Sequence, residues 1–222
     1  MYLLYYSPGA CSLAAHILLE ELEHPFELEL CSALKGVGTQ TPEYLSINPK
    51  GRVPALRRLG GPIGDTPGVL TELPAILVYL ASQEAPSRFI PDSPDRLARC
   101  LEWLNWLSGT VHSLSFGQIW RPQRFVDDEA LFPAIVKKGR INVLNNYSFI
   151  EQHIAAQSGH SLLSTFTIVH PVLLVFWIWG RWIDMDMQAS FPNWTRLVRS
   201  IIERPAVQRA LATEQIDLSL FE

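Results

Sequence analysis

Cysteine is scarce in this chain of 222 residues, and the three that occur, Cys11, Cys31 and Cys100, are odd in number and far apart. No CxxC pair and no Cys/His spacing suited to a metal joins them, so neither a disulfide framework nor a metal site is expected, and a reducing compartment is. Charge is sparse as well. Only 18% of residues are charged, the formal net charge is -4, and no basic cluster is denser than Arg57-Arg58 or Lys137-Lys138. That leaves no electrostatic footprint for nucleic acid or anionic lipid, and a small-molecule ligand is the better expectation. An unbroken apolar run is missing too: His170, Pro171 and Arg181 cut the stretch from Phe166 to Ile183 to a core of about ten residues, where spanning a bilayer takes roughly twenty. It reads as a buried helix, with no membrane as partner. The opening Met1 to Tyr6 carries no positive charge before Ser7-Pro8-Gly9. No signal peptide is expected, and the predicted location is cytoplasmic.

What is present is apolar residue in quantity, 48% of the chain, enough for one large core or two modest ones. Residues 2–6 form a short apolar run closed by Ser-Pro-Gly, a buried strand. Leu13, Ile17, Leu18 and Leu22 recur at helical spacing over 11–23, and Phe26 to Leu30 alternates like a half-buried strand. The trio predicts a βαβ unit. After a short helical turn near 42–47 and the turn signal Asn48-Pro49-Lys50-Gly51, residues 53–56 and 68–71 read as two further strands. They flank a hairpin loop, Gly60 to Gly68, with four glycines and two prolines. Pro74 opens a helix to about Ser82. Beyond residue 86 strand-like alternation disappears, all seven tryptophans lie past residue 100, and helical periods run over 94–117, 128–155, 167–184 and 193–213. The predicted organisation is an α/β domain over 1–85, with the order βαβ-ββα of a thioredoxin-like fold, a linker at 86–93 and an all-helical domain over 94–222.

Four places carry candidate chemistry. Cys11 stands where the first strand passes into the first helix. Free N–H groups and the helix dipole favour an anion there, so its thiol is expected to be acidified, with Ser12 able to donate to the same sulfur or to a ligand's. A cysteine at a helix start is also an ordinary small buried side chain. Val53-Pro54 begins a strand, and a cis bond there would turn the Val53 N–H and C=O outward toward an extended peptide. Glu72, at the start of another helix, has either a ligand ammonium or a purely local partner. Asn105, Ser108, Gly109 and His112 fall at i, i+3, i+4 and i+7 of a helix, a polar stripe that must meet a ligand or a partner subunit.

Together, Ser7-Pro8-Gly9-Ala10-Cys11-Ser12, Asn48 through Leu56, Leu70-Thr71-Glu72, and Glu102-Trp103-Leu104-Asn105 with His112 resemble the cytosolic glutathione S-transferases, most closely the bacterial beta-class pattern. The resemblance runs nearly the whole chain, to Glu203-Arg204-Pro205-Ala206-Val207. It implies that Cys11 faces the glutathione sulfur and can form a mixed disulfide with it, and that His112 approaches that sulfur from the helical domain. It implies further that Val53, before a cis Pro54, pairs with the cysteinyl backbone, that Glu72 meets the γ-glutamyl end, and that Lys35 reaches the glycyl carboxylate. Asn105 would arrive from the other subunit of a homodimer, and Tyr6 would lie near the sulfur. Leu73 replaces the usual Ser or Thr after the acidic residue, leaving only its backbone N–H to help. The helix-opening Thr-x-x-Asp appears as Thr167-Ile168-Val169-His170, without its reciprocal carboxylate. Trp106, Phe116 and Trp120 are candidates for an apolar second-substrate pocket, or for plain core.

The resemblance implies a transferase that binds glutathione, needs no metal, and turns the activated thiol on a hydrophobic electrophile. Two other enzymes fit the same residues: a glutathione-dependent isomerase acting by reversible addition to an activated double bond, and a thiol transferase or reductase cycling through Cys11. A non-catalytic glutathione-binding protein fits them as well.

Overall fold

The computed structural model describes residues 1–65, 68–84, 86–156 and 165–221, with Lys35 by its backbone alone. Its sheet has four strands, β1 (Tyr2–Tyr6), β2 (Phe26–Leu30), β3 (Ala55–Arg58) and β4 (Leu70–Thr71), in the order β2-β1-β3-β4. The central β1 pairs parallel with β2 and antiparallel with β3, and β4 lies antiparallel on β3. A parallel pair needs a crossover, and α1 (Ser12–Leu22) supplies it. The helices α2 (Pro42–Ile47) and α3 (Leu73–Ala81) complete a thioredoxin-like unit. The loop between β3 and β4 forms the expected hairpin, of which residues 66 and 67 lie outside the described residues.

From Pro94 onward all regular structure among the described residues is helical: α4 (Pro94–Trp106), a wider segment over Leu107–Phe116, α5 (Gly117–Trp120), α6 (Phe132–Ala156), α7 (Val169–Trp182), α8 (Met187–Ser190), α9 (Pro192–Ile202) and α10 (Pro205–Thr213). The connector is pinned rather than free, since Phe89 is buried and its carbonyl accepts the Ile168 N–H at 3.1 Å.

The helix α1 joins the two halves. It packs against α3 on one side and against α7 and α10 on the other, so every residue from Ser12 to Leu19 is buried. Its acidic end is tied to α10 by Arg204 on Glu21 and Arg209 on Glu20. The apolar stretch read as a buried helix is α7, buried from Val169 to Gly180. Among the described residues no helix is long and apolar enough to cross a membrane.

Two helical expectations are corrected and a third is refined. The single period over 193–213 is two helices, because Pro205 has no N–H to donate and holds Arg204 extended at φ -74°, ψ 129°. The period over 94–117 is also interrupted: from Leu107 to Phe116 the chain winds as a π-helix, with side-chain bonds reaching five residues back from Ser113 to Ser108 and from Ser115 to Thr110. Finally, the start of α7 has not lost its reciprocal acceptor. Nδ1 of His170 accepts the Thr167 N–H at 2.9 Å, and the Thr167 hydroxyl lies 3.4 Å from the Val169 N–H. An imidazole thus stands in for the carboxylate of a capping box, and burial keeps it neutral by pushing its pKa down to about 4.

Candidate functional site

The turn after β1 sets the position of Cys11. Gly9 adopts φ +64°, and any side chain there would collide with Trp182, so only glycine fits. Both of its peptide groups are held from the helical half of the molecule: its N–H donates to Oε2 of Glu214 and its C=O accepts Nε1–H of Trp179, each at 2.8 Å. The other oxygen of the buried Glu214 lies 2.8 Å from Nδ1 of His16 on α1. Neither Glu214 nor Trp179 carried any local signal for this role in the sequence, because both reach the loop from far along the chain.

Cys11 caps α1, and its Sγ donates to the Val53 carbonyl at 3.5 Å. The expected acidification is not found. Burial pushes this thiol up to about 12; the backbone N–H groups of Cys11 and Ser12 act the other way but are outweighed, because desolvation of a thiolate exceeds the pull of the helix start. Ser12 differs from expectation as well. It is fully buried and pins the turn, donating to the Ser7 carbonyl and accepting the Ser7 N–H, both at 3.2 Å, so its one hydroxyl hydrogen is already used.

The Val53–Pro54 peptide is cis. Val53 precedes β3, and its N–H has no acceptor among the described residues, while its C=O takes only the weak S–H of Cys11. Glu72 holds φ +71°, an unusual conformation for a side-chain-bearing residue, just before α3. Its carboxylate has found a local ammonium: Nζ of Lys50 lies 2.6 Å from Oε1 and 2.9 Å from the Thr71 hydroxyl. Both partners are more than half exposed, so this pair is weak and easily exchanged. Leu73 is buried at the first turn of α3. The Lys35 side chain lies outside the described residues. Tyr6 is half-buried, edge-on to His16, and burial followed by Glu214 raises its pKa.

His112 sits in the π-helical segment with its ring centroid 4.8 Å from that of Trp179. Burial, and then the positive Arg52 and Arg124, lower its pKa to about 4, so it is a neutral donor or acceptor at physiological pH. Asn105 and Gly109 are exposed, and Ser108 and His112 half-buried. The three candidate pocket aromatics do not form one wall. Phe116 and Trp120 pack on each other at 4.7 Å and on Trp179 at 5.1 and 5.0 Å, whereas Trp106 lies between Trp103 and Phe149, 5.3 Å from each. Phe116 is itself fully buried, and of the pair Trp120 alone is half-buried. Arg52, Arg124, Trp179 and Glu214 are the residues that sequence reasoning missed.

Among the described residues no cluster of His, Cys, Asp or Glu has the makings of a metal site.

Residues 9–83 match the family described as glutathione S-transferase, N-terminal domain. The glutathione S-transferase GstA of Escherichia coli O157:H7 is 30% identical over 213 residues, which cover 95% of this chain and 98% of that one. A glutathione transferase homologue from Sulfitobacter, solved with bound glutathione, superposes with a TM-score of 0.85 at 27% identity, covering 96% and 98% of the two chains. The beta-class glutathione S-transferase of Sphingomonas chungbukensis does so with a TM-score of 0.78 at 28% identity, covering 97% and 100%.

Proposed function

The chain belongs to the glutathione S-transferase family, and on that footing we propose that it binds glutathione along Val53 and Pro54 and turns its thiolate on an apolar electrophile. The observation that carries this reading is the meeting of Cys11 Sγ and the Val53 carbonyl at 3.5 Å, which brings the start of α1 and an unpaired backbone edge to one point.

On this reading Val53 offers its N–H and C=O to the cysteinyl backbone as a strand edge does. Cys11 gives up only a weak S–H bond to release that carbonyl. Its thiol stays protonated, so in the conjugation reaction it donates to the glutathione sulfur rather than attacking. The N–H groups at the start of α1 add to that stabilisation. Neutral His112 contributes a second donor, and Arg52 a positive potential. Glu72 exchanges Lys50 for the γ-glutamyl ammonium, and the Leu73 N–H meets the neighbouring carboxylate. The thiol proton leaves to solvent, and the thiolate forms a carbon–sulfur bond with the electrophile held beside Trp120 while the carbon–leaving-group bond breaks and the leaving group, chloride in chlorodinitrobenzene, departs with the electron pair.

The protein acts as a homodimer in the cytosol on this account. Support comes from the apolar side chains Ile141, Leu144 and Phe149 exposed on α6, of which Phe149 lies against Trp106, and from Asn105, exposed on α4. The test is steady-state conjugation of glutathione to chlorodinitrobenzene by the purified chain, read against Val53→Pro, which deletes the N–H. Turnover lost in the variant supports the assignment; equal turnover refutes it.

A further inference from the structure

We propose that Arg121 is a positioning residue for the reacting thiol: from the helical half of the molecule it clamps the Ala33 carbonyl, and through Ala33 and Ser7 it fixes the turn that delivers Cys11 and the start of α1 to the site. The inference rests on the transferase reading in taking that thiol to be glutathione's.

Arg121 stands where α5 stops. Its N–H closes that helix on the Gly117 carbonyl at 2.8 Å, and Pro122, with no N–H to give, begins a separate 3₁₀ turn. The side chain crosses to the α/β half, where Nη2 donates to the Ala33 carbonyl at 2.7 Å while Nη1 donates to the Trp120 carbonyl at 2.8 Å. One planar guanidinium thus joins a carbonyl of each half, and the two bonds together set its orientation. Ala33 passes the restraint on. Its carbonyl also accepts the Gly36 N–H at 3.1 Å, and its own N–H donates to the Ser7 hydroxyl at 3.0 Å. Ser7 is buried and locked to Ser12, whose hydroxyl accepts the Ser7 N–H and donates to the Ser7 carbonyl, both at 3.2 Å. Ser12 is the first residue of α1, next to Cys11.

The turn between β1 and α1 is therefore held from the helical half at two points. Glu214 and Trp179 take the two peptide groups of Gly9, and the chain Arg121–Ala33–Ser7–Ser12 takes the residues on either side of it. Backbone donors stabilise a forming anion only when they are already aimed at it, so a small displacement of the Cys11 and Ser12 N–H groups weakens their pull on the sulfur. Cutting the chain at Arg121 or at Ser7 removes the same restraint and leaves Gly9 as the one anchor of the turn in the helical half among the described residues. Arginine suits the task because its rigid fork reaches two carbonyls at once, which the single ammonium of lysine does not do in a fixed orientation.

The test is ultraviolet titration of the bound glutathione thiol in the full chain and its variants. The midpoint should rise by at least about half a unit in Arg121→Ala and likewise in Ser7→Ala, while the double variant rises no further than the larger single one, since both cut one chain of bonds. Arg121→Lys, which keeps the charge but not the fork, should recover less than about half of the shift. A midpoint unmoved in Arg121→Ala or in Ser7→Ala overturns the proposal. So do shifts that add in the double variant, and so does fuller recovery with lysine, which would make the effect one of charge alone. Hydrogen exchange of the free chain separates the clamp from the transferase reading: in Arg121→Ala the amides of Ser7 to Leu13 and of Ala33 to Gly36 should exchange at least about fivefold faster. If the wild type binds no glutathione, the transferase reading falls while faster exchange upholds the clamp. Unchanged exchange overturns the clamp in either case.

Discussion

Glu214, just past the last turn of α10, accepts the N–H of Gly9 at 2.8 Å and so holds the loop that delivers Cys11. A carboxylate more than two hundred residues away thereby fixes the start of α1, and its second oxygen reaches His16 on the same helix. The thiol site is therefore a joint product of both halves of the chain, and its geometry depends on the docking of the C-terminal helices.

Glu214→Ala leaves the Gly9 N–H and the His16 ring without their buried partner. The expected loss is about 2–4 kcal/mol in urea unfolding, with a drop in turnover larger than the remaining folded fraction explains. Glu214→Gln keeps an acceptor for Gly9 and should cost less than half as much.

The Cys11 thiol, pushed up to about 12, should react slowly. At pH 7.5 the folded chain is expected to take up iodoacetamide at Cys11 at least tenfold more slowly than the urea-unfolded chain, because the thiolate is the nucleophile. Alkylation faster in the folded state would contradict the burial argument.

His112 and His170 are both held near 4 when folded, against about 6.5 in the unfolded chain. Between those values the unfolded chain binds more protons, so the stability these two groups allow is complete above about pH 6.5 and is lost as pH falls toward 4. The loss is on the order of 3 kcal/mol for each. Urea midpoints at pH 7.5 and 4.5 measure it, and His170→Asp, which restores a carboxylate to the cap of α7, should lessen the fall.

Glu72→Gln removes the charge proposed to receive the γ-glutamyl ammonium. The KM for glutathione should rise about tenfold with kcat little changed, while Lys50→Ala, which deletes only an exposed partner, should shift stability by less than about 1 kcal/mol. A normal KM in Glu72→Gln would remove Glu72 from the ligand site.

The features readable in the sequence were those written in consecutive residues. Alternation in Phe26 to Leu30, the apolar run of Tyr2 to Tyr6 and the punctuation around Pro74 gave their strands and helix within a residue or two. Cys11 and Val53, forty-two residues apart, could be brought together only because the βαβ order places the starts of α1 and β3 at one end of the sheet. The π-helical segment had no such signature, since its apolar spacing also fits an α-helix. The role of His170 was hidden because a capping box is defined by carboxylates, and an imidazole nitrogen can accept the same bond. Glu214, Trp179 and Arg124 belong to the site through tertiary packing alone.

The central claim is that this fold lowers the thiol pKa of bound glutathione, and the most direct measurement is the ultraviolet absorbance of the thiolate as the complex is titrated with base. The account predicts a midpoint at least about one unit below that of free glutathione, moving upward in His112→Ala and in Cys11→Ala. A bound thiol that titrates like the free one in the wild-type chain would contradict it.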